Sequence, residues 1–203
     1  MSTSEVSFPL MEHFYTIQGE GFHSGEPCYF LRLGGCDVGC VWCDVKESWD
    51  ADLHPKVSIV QMTEWVKASG ATRCVITGGE PLMYDLKPLT DALHANNIKV
   101  YIETSGVYQL TGDLDWICLS PKKFKKPDSS IYQHADELKI IVYHVSDLKW
   151  GEEHAELVRK DCHLFFQPEW SKEKEMLPLI IEYIKAHPQW RISLQTHKYM
   201  NIP

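Results

Sequence analysis

The segment Cys36-Asp37-Val38-Gly39-Cys40-Val41-Trp42-Cys43 places three cysteines in a C-x3-C-x2-C spacing. Thiolate sulfur is the usual ligand of iron–sulfur clusters, and a cubane cluster normally takes four cysteines. Three cysteines at close range would leave one iron open to a substrate or cofactor. Zinc is the alternative, but no fourth Cys or His follows closely, and the nearest downstream histidine is His54. The spacing therefore predicts a [4Fe–4S] cluster held by Cys36, Cys40 and Cys43.

The length and composition of the chain predict one folded domain, 1–203. Of its 203 residues, 44% are hydrophobic, which is enough for a sizeable core. No apolar run approaches the roughly 20 residues of a membrane span. The first residues, with Glu5 and Glu12 and no basic cluster, do not resemble a signal peptide. We therefore predict a cytoplasmic protein that does not enter the membrane.

Seven cysteines in a chain of this kind argue against a disulfide framework. The four outside the cluster segment each lie in or beside an apolar stretch, and we expect them to be small buried hydrophobic residues. They are Cys28, Cys74, Cys118 and Cys162.

Net charge excludes a nucleic-acid partner and favours a small-molecule substrate. The formal charge is −8, and the single basic concentration, Lys122–Lys126, does not extend into a stripe. Binding a nucleic acid would need a broader basic face. We expect the lysine run to be a solvated loop.

Short apolar runs rich in β-branched and aromatic residues predict strands. They lie at Tyr29–Leu33, Cys74–Thr77, Val100–Glu103, Trp116–Leu119, Leu138–Tyr143, Leu164–Gln167 and Trp190–Leu194. Apolar stripes predict three helices, at 58–70, 86–97 and about 176–184. Pro178 leaves the start of the third helix open, because proline is tolerated only in the first turn. Strands alternating with helices predict an α/β fold, a partial or compact (β/α) barrel with six or seven mainly parallel strands.

Polar residues follow six of the predicted strands, and in a parallel barrel these strand ends meet at one mouth. The segments are Gly34-Gly35 with the cysteines, Gly78-Gly79-Glu80, Glu103–Gly106, Ser120–Lys122, Gln167–Glu169 and Gln195–His197. The paired glycines let the backbone approach a ligand, and Glu80 is suited to accept a hydrogen bond from an ammonium group.

Arg32 lies inside an apolar strand, between Leu31 and Leu33. Its guanidinium must face a wet or ligand-filled space, and the planar fork of this group suits a carboxylate. The alternative is a surface-facing residue of an alternating strand.

The cysteine spacing resembles that of the radical S-adenosylmethionine (SAM) superfamily. The segment Thr77-Gly78-Gly79-Glu80-Pro81 resembles the glycine-rich motif with which that superfamily holds the amino group of SAM. From about Phe14 to the last residue, and most weakly over about 125–160, the chain resembles the 7-carboxy-7-deazaguanine synthase family. The segments that carry this resemblance are Gln18-Gly19-Glu20-Gly21, Cys43-Asp44 with Lys46, Ser120-Pro121-Lys122 and Gln195-Thr196-His197-Lys198-Tyr199.

The resemblance implies a carbon–nitrogen lyase of queuosine biosynthesis. Such an enzyme converts 6-carboxy-5,6,7,8-tetrahydropterin to 7-carboxy-7-deazaguanine with loss of ammonia, using a radical made from SAM at the open iron. The family also implies a homodimer and a flavodoxin or ferredoxin as electron donor. The implied cofactor-binding residues are Trp42, Cys43, Asp44, Gly79, Glu80, Glu103, Ser105, Ser120, Pro121, Lys122 and Gln167. The implied substrate-binding residues are Ile17, Gln18, Gly19, Arg32, Thr77, His197 and Pro203.

The chain departs from the family pattern at Val45. The family has threonine there, whose hydroxyl helps to bind Mg²⁺ against the substrate carboxylate, whereas valine offers no oxygen. The Mg²⁺ requirement is therefore expected to be weaker, absent, or maintained by a main-chain carbonyl, water or Asp44.

Two other functions remain open on the sequence alone. One is a radical SAM activase that acts on a protein partner, and the other is a non-catalytic iron–sulfur or zinc protein. The Gln18–Gly21 and Gln195–Lys198 segments and Arg32 favour the pterin substrate.

Overall fold

A computed structural model describes residues 6–203 and contains one mixed sheet and five α-helices in that range. The strands are β1 (Ser7–Ile17), β2 (Pro27–Leu33), β3 (Lys56–Ser58), β4 (Arg73–Gly78), β5 (Lys99–Thr104), β6 (Trp116–Leu119), β7 (Glu137–Val142), β8 (His163–Pro168) and β9 (Trp190–Ile192). The helices are α1 (Ile59–Ser69), α2 (Lys87–His94), α3 (Ser146–Ala155), α4 (Glu173–Ala186) and α5 (Thr196–Met200).

The strand order is β3-β1-β2-β4-β5-β6-β7-β8-β9. The seven strands from β2 to β9 in this order run parallel, as the sequence predicts for a partial barrel. Strand β1 pairs antiparallel with β2 and β3, and neither β1 nor β3 is predicted. Pro9, Glu12 and His13 interrupt the apolar pattern of β1, and three residues are too few to predict β3.

The predicted first helix is confirmed as α1. The Ser58 side chain accepts a hydrogen bond from the Gln61 amide at 3.2 Å, and Gly70 ends the helix in the left-handed region with φ of 75°. The second is confirmed as α2.

Helix α4 begins earlier than Pro178 suggests. Pro178 is its sixth residue, so the start that the sequence left open lies at Glu173, and the proline stands beyond the first turn. Helix α3 is not predicted, because its buried face carries Asp147, Gly151 and His154 beside a single leucine and so shows no apolar stripe. None of the helices among residues 6–203 has both the length and the apolar character needed to cross a bilayer.

Side chains alternate between two faces along each strand. One face packs against α1–α4 and forms the main core, which includes Leu31, Ile76, Ile102, Ile140 and Phe166, all 0% exposed. The opposite, inner face carries a smaller apolar cluster near the N-terminal ends of the strands, formed by Cys28, Phe30, Val75 and Tyr101.

The four cysteines outside the cluster segment are buried thiols, which confirms the prediction for them. Burial raises the pKa of Cys28 and of Cys162 to about 12. Above the small apolar cluster, toward the C-terminal strand ends, the inner face becomes polar.

Candidate active site

A cavity of about 280 Å³ opens on the inner face, where the parallel strands end. Five strands contribute polar side chains from this face to its wall, which are Arg32, Thr77, Glu103, Lys139 and Gln167. Because strand neighbours in register share a face, this polar layer follows from the alternation that buries the leucines and isoleucines on the other side. Every site residue predicted from the sequence lines the cavity except Glu80 and Pro121.

The cysteine segment forms one wall. Cys36, Cys40 and Cys43 all line the cavity and none is in a disulfide. Its start is anchored by main-chain hydrogen bonds, such as the one from the Cys36 amide to the Trp49 carbonyl at 3.0 Å. Among residues 6–203, no three His, Cys, Asp or Glu side chains gather as they would around a single metal ion. In a cubane each thiolate binds a different iron, so three separate donors on one wall fit such a cluster.

Gly79 brings the glycine-rich segment against the cysteine segment. The Gly79 amide donates to the Leu33 carbonyl at 2.9 Å, and a Cβ at Gly79 would lie 2.2 Å from the Gly35 carbonyl oxygen. No other residue fits at this position without moving the backbone that leads to Cys36.

Glu80 lies behind the cavity wall and is 1% exposed. Its carboxylate accepts hydrogen bonds from the Thr104 hydroxyl at 2.5 Å, the Ser105 amide at 2.8 Å, the Leu82 amide at 3.1 Å and the Ser105 hydroxyl. Both carboxylate oxygens therefore have protein donors. In this arrangement Glu80 positions Thr104 and Ser105, which line the cavity, instead of facing it.

Lys122 crosses from the strand β6 end toward the cysteine segment. Its Nζ donates to the Ser120 carbonyl and hydroxyl, both at 2.6 Å, and lies 5.9 Å from the Trp42 ring centroid. Burial lowers the pKa of Lys122 below its ordinary value.

The rest of the lysine run is not simply a solvated loop. Lys123 is ion-paired with Asp147, and Lys125 Nζ lies 2.6 Å from Asp37 in the cysteine segment. The run thus ties helix α3 and the cysteine segment together.

Arg32 lines the cavity, as predicted, but already has an anionic partner. Its Nε donates to Glu12 Oε1 at 2.6 Å. No side chain or carbonyl among residues 6–203 accepts from its two terminal nitrogens. Glu12 therefore fixes the side chain while the terminal edge of the fork remains for a ligand.

A buried ion-pair network on the opposite wall is not predicted from the sequence. Lys139 Nζ lies 2.7 Å from Glu20 Oε2 and 2.8 Å from Glu103 Oε2. Burial alone would raise the pKa of Glu20, but Lys139 and a hydrogen bond from Gln195 outweigh it and lower the pKa to about 2. The argument that selects Arg32 applies equally to Lys139, which stands between Leu138 and Ile140 in an apolar run.

His197 on α5 packs against Gly19 in the turn after β1, and this contact joins the last helix to that turn. A Cβ at Gly19 would lie 2.2 Å from His197 Nδ1, so the histidine ring needs a glycine there. The Thr196 hydroxyl also donates to the Gly19 carbonyl at 2.9 Å. Burial lowers the pKa of His197 below its ordinary value. Together with Pro203, these residues bring the turn after β1 and the C-terminal residues to one cavity.

The surroundings of Val45 do not fit an Mg²⁺ ion. The Val45 carbonyl already accepts from the Ser48 hydroxyl at 2.7 Å and the Ser48 amide at 3.1 Å. Asp44 Oδ2 accepts from Lys198 Nζ at 3.2 Å. Two of the oxygens that would substitute for the missing hydroxyl, the Val45 carbonyl and Asp44 Oδ2, are thus already engaged.

Comparison with known proteins agrees with this fold and cavity. The model of the radical SAM superfamily matches residues 31–117, which contain the cysteine segment and the glycine-rich segment. Two curated relatives are named 7-carboxy-7-deazaguanine synthase. The protein from Flavobacterium psychrophilum is 55% identical over 96% of this chain and 92% of its own length. The protein from Synechocystis is 45% identical over 97% and 94%.

A solved structure resembles the fold closely. The crystal structure of QueE from Escherichia coli superposes with a TM-score of 0.85 at 32% identity and covers 95% of each chain. The chain therefore belongs to the radical SAM superfamily and, within it, to the 7-carboxy-7-deazaguanine synthase family.

Proposed function

We propose that this chain converts 6-carboxy-5,6,7,8-tetrahydropterin to 7-carboxy-7-deazaguanine with loss of ammonia. The observation that carries the proposal is one cavity of about 280 Å³ that is lined both by the three cysteines and by Arg32. This volume is close to the range of small-molecule sites. A cluster-bound cofactor and a carboxylate-bearing substrate can then meet in one enclosed space.

The chain's own residues divide into two groups in this proposal. Cys36, Cys40 and Cys43 would hold the [4Fe–4S] cluster, which together with SAM supplies one-electron chemistry when bound. The SAM side of the cavity would be formed by Trp42, Asp44, Gly79, Ser105, Ser120, Lys122 and Gln167.

The substrate side would begin at Arg32, whose terminal nitrogens are placed to bind a carboxylate in the planar, bidentate manner of a guanidinium. Phe14 and Phe30 line the same side, and their rings stack 5.3 Å apart, which offers an apolar surface to a flat ring. Ile17, Gln18, Gly19, Thr77, His197 and Pro203 complete this side. The walls bind and orient the substrate and limit the access of water.

The proposal also includes a protein electron donor, flavodoxin or ferredoxin, and a homodimer, both on the basis of the family. A cytoplasmic location is supported by the seven cysteines, all of which are free thiols. We further propose that residues 1–203 act as one domain.

Anaerobic reconstitution with iron, sulfide, SAM and dithionite tests the function. We expect 5′-deoxyadenosine, and we expect 7-carboxy-7-deazaguanine when the carboxytetrahydropterin is present. Formation of 5′-deoxyadenosine without consumption of the pterin would reject the substrate and favour the activase alternative. Absence of 5′-deoxyadenosine from protein loaded with its cluster would reject radical SAM chemistry altogether.

A further inference from the structure

Lys139 is the charged residue most deeply placed in the cavity wall. It is 3% exposed, whereas the Glu20 and Glu103 side chains that bind its Nζ are 17% and 21% exposed. All three line the cavity. The ammonium group is thus behind the two carboxylates, and the carboxylates are nearer to a ligand.

The second oxygen of each of these two carboxylates also accepts a hydrogen bond. Glu20 Oε1 accepts from Gln195 Nε2 at 2.9 Å, and Glu103 Oε1 accepts from Gln18 Nε2 at 3.4 Å. Lys139 is the central link of this chain of five side chains, because within residues 6–203 it alone donates hydrogen bonds to both carboxylates. The bonds of Glu103 to Lys139 and Gln18 place it beside the substrate residues, although the resemblance assigns it to the cofactor.

The network carries two negative charges and one positive charge, so its face toward the cavity favours hydrogen-bond donors over acceptors. Lys139 lies on β7, four strands from Arg32 on β2 in the sheet order, and Glu103 lies on β5 between them. A substrate whose carboxylate binds Arg32 would direct its far ring edge toward this network. In the carboxytetrahydropterin that edge carries an amino group and a ring N–H, both donors.

We propose that Lys139 is a positioning residue that holds the Glu20 and Glu103 carboxylates against the far ring edge of the substrate. The cavity thereby selects a ring that bears an amino group at this edge over the same ring bearing a carbonyl oxygen there. This inference rests on the proposed function. It assigns to Lys139 no contact with the substrate.

The test compares two ligands on the anaerobic, cluster-loaded enzyme by calorimetry. One is 6-carboxy-5,6,7,8-tetrahydropterin, and the other is its lumazine counterpart, in which oxygen replaces the 2-amino group. The variants are Lys139→Met and, as a matched control, Lys185→Met, an exposed lysine on α4. Iron content and melting temperature are measured for each protein.

Lys139→Met is expected to raise the Kd of the amino-bearing ligand by about 10-fold or more, the size of one charge-assisted hydrogen bond. The Kd of the lumazine counterpart should change by less than about threefold, because its carbonyl oxygen gains nothing from the two carboxylates. Lys185→Met should leave both values unchanged. Equal changes for the two ligands, or no change for either, would overturn the role, since a merely structural lysine would not alter the preference.

Lys139→Arg keeps the experiment decisive if Lys139→Met does not fold. It retains the charge, but its wider guanidinium displaces the two carboxylates, so the preference should fall by at least about threefold. An unchanged preference in a folded Lys139→Arg protein overturns the inference. If the natural protein neither binds nor consumes the carboxytetrahydropterin, the proposed function fails first and the inference fails with it.

Discussion

Replacing Glu80 with glutamine is expected to destabilise the protein strongly, although the two side chains have nearly the same size. Each carboxylate oxygen of Glu80 accepts from a backbone amide, one oxygen from Leu82 at 3.1 Å and the other from Ser105 at 2.8 Å. A backbone N–H can only donate. Whichever way the glutamine amide turns, its NH₂ group faces one of these donors.

The cost follows from the buried bonds that are lost. One unsatisfied buried donor costs about 1–3 kcal/mol, and weaker bonds from the hydroxyls of Thr104 and Ser105 add about 1 kcal/mol. The free energy of unfolding should therefore fall by roughly 2–4 kcal/mol. For a chain of this length that corresponds to a drop in Tm of about 5–15 °C.

Thermal unfolding followed by circular dichroism, under anaerobic conditions and at matched iron content, measures this change. The control is Glu64→Gln, an exposed residue of α1 whose pairing with Lys67 at 3.2 Å contributes less than about 1 kcal/mol. If Glu80→Gln lowers Tm no more than Glu64→Gln does, the carboxylate does not hold Thr104 and Ser105 as described.

Four further results are expected. Cys36→Ala, Cys40→Ala or Cys43→Ala should each abolish SAM cleavage, whereas equal loss of iron in Cys28→Ala or Cys74→Ala would contradict the ligand assignment. Arg32→Lys should raise the substrate KM by about 10- to 100-fold, because lysine lacks the bidentate fork. The control Arg191→Lys, at an exposed arginine, should leave KM unchanged. An unchanged KM in Arg32→Lys would reject carboxylate binding by Arg32. Turnover should depend weakly on Mg²⁺, and Val45→Thr should increase that dependence; a strong requirement unaffected by Val45→Thr would place the metal ligand elsewhere. The pKa of Glu20 lies at about 2, below its ordinary value near 4.5, so its contribution to stability is complete above about pH 4.5 and is lost as pH falls toward 2. The free energy of unfolding of Glu20→Gln, measured against pH, should therefore decrease less steeply over this window than that of the natural protein. Identical curves for the two proteins would contradict the ion pair.

Features encoded within a few neighbouring residues were predictable. The cysteine spacing, the glycines at the end of β4 and the buried positions of Cys74 and Cys118 depend on local pattern and on the side-chain alternation of strands. The shared mouth was predictable too, since parallel strands necessarily bring their C-terminal ends to one edge.

Strand β1 and helix α3 were not predictable, because contacts with distant or polar residues hold them and no local apolar pattern marks them. Pro9 breaks the pattern of β1 locally, yet the strand is held by its pairing with β2 and β3. The buried Asp147 of α3 accepts from the Tyr143 and His144 amides, a role that an apolar stripe does not reveal.

The sequence by itself determined which residues of a strand share a face, because side chains alternate along the strand. Only the tertiary structure decided which of them meet. Lys139 binds Glu20, which is 119 positions away in the chain. Arg32 binds Glu12, which lies on β1, a strand that the sequence does not predict. Such pairings depend on strand order and register, which are fixed by the packing of the whole sheet and have no local signature. The ion-pair partner of a charged side chain therefore depends on the tertiary structure, whereas the face of the strand on which that side chain lies follows from the sequence.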